Sequence, residues 1–170
     1  MIEARYLAAL HKIYSRLKDC KAIWVITGSF GMALQGMDID VHDIDIQTDR
    51  PGVFEIESKF PENMIEPVRY AESERIRSYL GKLEIEGIQV EIMGDLQKRF
   101  DENGWEEPVR VEPYRRWVSL DGMQIPVLSL EYEYQAYLKL GRLEKAERLR
   151  EWLQDQAEKG TKQNEKMDQC

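Results

Sequence analysis

The chain has 170 residues, of which 42% are hydrophobic and 33% are charged, and its net charge is −8. This length suits one domain with a proper core, and the composition is that of an ordinary soluble globular protein. The acidic balance argues against nonspecific binding to nucleic acid over the whole surface, because such binding needs a positive footprint.

The sequence predicts neither a membrane span nor a signal peptide. The longest apolar stretch, residues 22–26, is far too short to cross a bilayer, and Glu3 and Arg5 interrupt the N-terminal apolar residues. The two cysteines, Cys20 and Cys170, form no disulfide framework and no metal-ligand spacing. We interpret them as one buried and one exposed thiol, and we expect a cytoplasmic protein that does not bind membranes.

Helices and strands alternate in the first part of the chain. Apolar residues three or four apart predict a helix over 3–18, and a β-branched run predicts a buried strand over 22–27. A short helix over 30–35 is expected next. An alternation of acid and isoleucine then predicts a strand over 43–48, and a Pro-Gly pair opens a helix over 53–60.

Strands dominate the middle of the chain. Residues 75–85 and 88–93 predict two strands that are joined by a hairpin turn. Three shorter strands are expected at 109–111, 117–120 and 124–128, and the turn Asp121-Gly122 joins the last two.

The C-terminal part is predicted to be helical. Ser129 is a suitable N-cap for a helix over 130–140, and a second helix is expected over 143–156. Residues 157–170 are polar, lack periodicity and are predicted to be disordered. We therefore expect one domain over 1–156 with an α/β fold, in which helices flank a mixed β-sheet and the C-terminal end is helical.

A glycine and a serine follow the first predicted strand. Gly28 has no Cβ, so the backbone there can approach a ligand closely. Ser29, as a cap of the next helix, offers a hydroxyl and a backbone N–H near the positive end of the helix dipole. The pair is a plausible phosphate cradle, although the same pair is more often only a capped turn.

Two aspartates alternate with isoleucines in the next strand. Asp43 and Asp45 are two residues apart, so they project from the same face of the strand. Adjacent carboxylates repel each other unless a cation lies between them, and Mg²⁺ prefers such oxygen ligands. The alternative is an edge strand with a solvated acidic face. A similar pair, Asp38 and Asp40, is out of phase with these isoleucines, and we interpret it as part of a loop.

A third carboxylate, Glu91, lies in the later strand over 88–93 between apolar neighbours. Together the three motifs resemble the DNA polymerase beta-like nucleotidyltransferase superfamily. Members of this family show an apolar strand, Gly-Gly or Gly-Ser, then a strand of alternating acids, and later a strand with a third carboxylate. The third acid is Glu here instead of the commoner Asp.

The resemblance implies a small metal-dependent enzyme that moves a nucleoside monophosphate from an NTP to an acceptor and releases pyrophosphate. It implies Asp43, Asp45 and Glu91 as catalytic residues that hold Mg²⁺, with Mn²⁺ as a second option. It also implies that Gly28 and Ser29 bind the phosphates.

The C-terminal helices resemble those of the minimal, antibiotic-modifying and toxin-type members of this superfamily. The resemblance implies that Lys139 and Arg142 bind the nucleotide. An ordinary solvated helix face is the alternative for both residues.

The sequence leaves the acceptor open between a small molecule, a protein and a tRNA, and it does not predict the oligomeric state. Two other functions fit part of the pattern. One is a non-catalytic subunit that pairs with a toxin as an antitoxin does. The other is a glycosyltransferase, which would need no Gly-Ser pair after a buried strand.

Overall fold

The computed structural model describes residues 1–168. Contacts within the chain divide it into two units, of which one comprises Met1–Leu128 and the other begins at Ser129. The helices of the first unit are α1 (Ala4–Leu17), α2 (Gly28–Leu34) and α3 (Arg50–Lys59), with a 3₁₀ turn at Glu112–Tyr114.

The first unit contains a mixed β-sheet. Its strands are β1 (Val25–Thr27), β2 (Ile44–Thr48), β3 (Met64–Glu72), β4 (Ile76–Ile85), β5 (Ile88–Asp101), β6 (Gly104–Trp105), β7 (Arg115–Leu120) and β8 (Met123–Leu128). They are ordered β3-β4-β5-β2-β1-β8-β7, and β6 pairs with β5. Strand β2 is parallel to β5 and antiparallel to β1, which confirms the predicted mixed sheet flanked by helices.

One face of this sheet packs against α1 and α3. The main side chains of the core include Leu10, Ile13, Ile44, Ile46, Val53, Ile56, Val90 and Ile92. Burying each such side chain stabilises the fold by about 1.5–3 kcal/mol. Because side chains alternate between the faces of a strand, Asp45 points away from the face that carries Ile44 and Ile46.

Two predicted turns are confirmed by their backbone angles. Glu86 and Gly87 have φ of 53° and 72°, and Asp121 and Gly122 have φ of 49° and 76°. Two consecutive positive φ angles are typical of the two-residue turn whose twist suits a β-hairpin. These turns join β4 to β5 and β7 to β8.

Two predictions for strands were wrong or incomplete. Residues 109–111 form no strand, and the nearby Pro108 and Pro113 have no N–H for a ladder. Strand β3 was missed, because its polar residues and Pro67 resemble a loop in the sequence. The strand lies at the edge of the sheet, where proline is tolerated.

The second unit consists of α4 (Leu130–Lys139) and α5 (Leu143–Met167). Ser129 Oγ accepts a hydrogen bond from the Tyr132 N–H at 3.1 Å, which confirms the predicted cap. Helix α5 continues eleven residues beyond its predicted end at 156, through part of the segment predicted to be disordered.

The added turns of α5 are exposed, and their Lys159 forms an ion pair with Asp155 of the preceding turn, with 3.0 Å between the charged atoms. The extent of the domain, 1–156, stays a prediction, and Cys170 lies outside the described residues. None of the helices in the described part of the chain combines the length and apolarity needed to cross a membrane.

Candidate active site

Two of the predicted carboxylates lie side by side in the sheet. Asp45 of β2 and Glu91 of β5 are paired across parallel strands, which are about 4.8 Å apart. Both residues are half-buried and lie on the face opposite α1 and α3. The fold therefore joins two acids that are far apart in the sequence.

Gly28 lies directly against the same carboxylate. It follows β1, whose last residue Thr27 pairs with Asp45. Gly28 has a φ of +69°, and a Cβ added to it would lie 2.5 Å from Asp45 Oδ2. Glycine is needed here both for the backbone angle and for the space. The Gly-Ser motif and the strand of alternating acids therefore form one local arrangement.

Asp43 and Ser29 lie at the edges of this arrangement. Asp43 immediately precedes β2 and is half-buried, so the strand begins one residue later than predicted. Helix α2 begins at Gly28 with Thr27 as its N-cap. The prediction that Ser29 caps this helix was therefore wrong, since Ser29 is the second residue of the first turn.

Other charged residues extend the row of Asp45 and Glu91 towards the sheet edge. Lys82 of β4 pairs with Glu91, and Glu66 of β3 pairs with Lys82. Lys82 Nζ lies 3.7 Å from Glu66 Oε1, and Gln89 Nε2 donates to Glu91 Oε1 at 3.4 Å. Sequence reasoning missed Lys82 and Glu66, because the pairing register of β3, β4 and β5 cannot be read from their spacing.

The carboxylates of this site are potential ligands for a metal ion. Among residues 1–168, no group of three or more His, Cys, Asp or Glu side chains is arranged to hold a metal ion. Mg²⁺ is, however, commonly bound by one or two carboxylates together with substrate phosphates. Asp45 and Glu91, with Asp43 two residues before Asp45, therefore fit a cation that binds together with a phosphate-bearing substrate.

The predicted nucleotide-binding residues of the second unit lie at the turn between its helices. Lys139 is the last residue of α4, and Arg142 is the N-cap of α5. The Arg142 guanidinium lies 5.9 Å from the ring centre of Tyr137. Binding of nucleotide by Lys139 and Arg142 stays a prediction.

The second pair of aspartates is placed as predicted. Asp38 and Asp40 lie in the loop between α2 and β2, and both are exposed. Neither residue belongs to the strand that carries Asp45.

Comparison with solved structures supports this description of the fold. A candidate nucleotidyltransferase from Thermotoga maritima is 57% identical, with a TM-score of 0.81 over 91% of this chain and 96% of that chain. ANT(2'')-Ia in complex with adenylyl-2''-tobramycin has a TM-score of 0.56 at 12% identity, over 87% of this chain and 89% of that chain. The lincomycin-bound lincosamide adenylyltransferase LnuA has a TM-score of 0.53 at 14% identity, over 88% of this chain and 97% of that chain.

The last two structures show a similarity of fold alone, because their sequence identity is low. A comparison with curated proteins found no match. The family described as aminoglycoside-2''-adenylyltransferase matches residues 9–155, which is most of the chain. The protein therefore belongs to this family of nucleotidyltransferases.

Proposed function

We propose that this protein transfers a nucleoside monophosphate from an NTP to a hydroxyl group of an acceptor and releases pyrophosphate. The main support is the pairing of Asp45 with Glu91 beside Gly28. This pairing places two carboxylates next to each other, at a point where the glycine leaves room for a substrate to approach the backbone closely. The family is described by adenylyl transfer, so ATP is the donor we expect.

The carboxylates would hold the cation in this proposal. Asp43, Asp45 and Glu91 would bind Mg²⁺ or Mn²⁺, which supplies charge neutralisation for the phosphates when it is bound. Glu91 lies on the side of Asp45 away from Gly28 and would also accept the proton of the acceptor hydroxyl.

The phosphates would lie at the end of β1. Gly28 leaves room for them beside Asp45, and Ser29 would donate its hydroxyl to the β- or γ-phosphate. Binding of the nucleotide by Lys139 and Arg142 of the second unit is part of the same proposal. Most of the rate enhancement would then come from positioning and from electrostatic stabilisation.

The acceptor is proposed to be a small molecule with hydroxyl groups. The family name refers to aminoglycosides, and two of the similar folds were solved with an adenylylated or bound antibiotic. These ligands belong to those proteins, and a protein side chain or a tRNA remains to be tested as an acceptor here.

A labelling experiment tests the proposed function. The protein is incubated with Mg²⁺ and each α-³²P-labelled NTP, and with an aminoglycoside, a lincosamide, tRNA or a protein extract in turn. We expect label from ATP to appear on one class of acceptor, together with release of pyrophosphate.

Two matched variants accompany this experiment. Glu91→Gln is expected to reduce labelling at least a hundredfold, because an amide is a poor metal ligand and cannot accept the proton. Glu84→Gln changes an exposed glutamate on the neighbouring strand β4 and should keep wild-type labelling. A wild-type protein that labels no acceptor with any NTP would contradict catalysis and favour a non-catalytic binding subunit.

A further inference from the structure

Gln47 is a buried polar residue on the strand that carries the candidate catalytic aspartate. It lies two residues after Asp45 in β2, so the two side chains share one face of the sheet. Gln47 is 4% exposed. A glutamine in such a place is unusual, because buried polar side chains normally have hydrogen-bond partners.

The Nε2 of the Gln47 side chain lacks such a partner in the part of the chain that the structure describes. This nitrogen is fully buried and finds no hydrogen-bond acceptor among the described residues. The next residue, Thr48, provides a contrast, because its buried hydroxyl donates to the Ile23 carbonyl at 2.7 Å. An unmatched buried donor is destabilising, so its presence calls for a physical explanation.

The neighbouring strands supply no good acceptor for this amide. Gln47 pairs with Val25 of β1 on one side and with Met93 of β5 on the other. Val25 is apolar and fully buried, and the thioether of Met93 is only a weak acceptor. An acceptor brought by a bound ligand would satisfy the amide once the atoms that cover Nε2 in the free protein move aside.

The direction of the strands indicates which part of a nucleotide would reach Gln47. Gly28 follows Thr27, which pairs with Asp45, whereas Gln47 pairs with Val25. Gln47 therefore lies on the opposite side of Asp45 from Gly28. With the β- and γ-phosphates at Gly28 and the α-phosphate at Asp45, the nucleoside would continue towards Gln47.

We propose that Gln47 binds the nucleoside part of the NTP by donating a hydrogen bond from its amide to an acceptor on the ribose or the base. This inference rests on the proposed function and adds a nucleoside-binding residue to it. Nε2 then has no acceptor among residues 1–168 of the free protein, and the bound substrate supplies one.

Calorimetry with Gln47→Met tests this inference, because methionine has nearly the same size and carries no donor. The probes are α,β-methylene-ATP, which cannot be cleaved at the reacting phosphate, and tripolyphosphate, each with Mg²⁺. We expect the affinity of the variant for α,β-methylene-ATP to fall about three- to tenfold and its affinity for tripolyphosphate to stay unchanged.

Gln97→Met serves as the matched control. Gln97 of β5 is half-buried and its amide is satisfied, since Nε2 donates to the Glu106 carbonyl and Oε1 accepts from Arg77 Nε. Gln97→Met should lower the melting temperature and leave the affinity for α,β-methylene-ATP unchanged.

Gln47→Met should keep or raise the melting temperature of the free protein, because it removes an unmatched buried donor. Gln47→Leu repeats the test if the methionine variant does not fold.

Three results would overturn the inference. One is an unchanged affinity of the Gln47 variants for α,β-methylene-ATP, and another is an equal loss of affinity for tripolyphosphate, which would place the contact at the phosphates. A third is a wild-type protein that binds neither probe. That result would also contradict the proposed function, whereas the first two leave the proposed function intact.

Discussion

At the scale of single residues, Gly28 allows the sharpest prediction. In Gly28→Ala, the new methyl group would lie against the Asp45 carboxylate, and the backbone angle would become unfavourable. We expect a loss of stability larger than the roughly 1–2 kcal/mol that a positive φ alone costs, and a loss of nucleotide affinity because Asp45 must move. Urea unfolding and calorimetry with α,β-methylene-ATP measure the two effects.

Gly87 provides a matched control for this substitution. Its φ is +72°, close to that of Gly28, but a Cβ added there would meet nothing within 4 Å. Gly87→Ala should therefore show the cost of the backbone angle alone and keep wild-type nucleotide affinity. Equal stability losses in the two variants, with nucleotide binding kept in both, would argue against a close packing of Gly28 on Asp45.

Sequence reasoning identified residue types better than it identified contacts. Gly28 and Asp45 were both predicted as site residues, but only the pairing of β1 with β2 shows that they touch. Gln47 gave no signal at all, because a glutamine two residues after an aspartate is unremarkable in a strand. Its burial depends on tertiary packing that spacing does not reveal.

At the scale of elements, the beginning of β2 separates two pairs of aspartates. Asp38 and Asp40 lie in an exposed loop, whereas Asp45 lies within the strand and Asp43 directly precedes it. We expect Asp43→Asn to remove nearly all transfer of label from ATP. The double variant Asp38→Asn and Asp40→Asn should retain most of it, and the labelling assay measures both.

The reverse result would show that the loop carries the functional acids. Circular dichroism controls for folding, since these changes from aspartate to asparagine preserve side-chain shape. A loss of activity in both variants would point to a role for the whole segment that precedes β2.

Elements that begin or end at a turn glycine or a helix-capping residue could be predicted from the sequence. The two hairpin turns were found from glycines that now show positive φ, and the cap of α4 was found from Ser129. Strand β3 and the long end of α5 were missed, because neither has a regular apolar pattern. A polar edge strand and a polar exposed helix both resemble a loop when only periodicity is considered.

At the scale of the whole molecule, the order of elements was enough to predict the fold class. An alternation of helices and strands followed by two helices implied a mixed sheet with a helical C-terminal end, and the structure confirms it. The parallel pairing of β2 with β5 could not be predicted, because it joins residues that are 46 positions apart, such as Asp45 and Glu91. The candidate site depends on that long-range pairing.

The acidic charge of the whole chain is consistent with a role for a cation. With a net charge of −8 and two adjacent carboxylates at the candidate site, the protein would bind an anionic NTP poorly without positive charge nearby. Divalent cations supply such charge in nucleotidyltransferases, and binding of metal and nucleotide should therefore be coupled.

The central claim is that Asp45 belongs to a joint site for a divalent cation and a nucleotide, and thermal unfolding tests it most directly. At a concentration of α,β-methylene-ATP a hundredfold above its Kd, with Mg²⁺ present, wild-type protein should gain about 2.7 kcal/mol of stability. For a chain of this size, the melting temperature should rise by about 5–10 °C. Asp45→Asn should remain folded by circular dichroism and show no such rise. A folded Asp45→Asn protein with the same rise as the wild type would contradict the account.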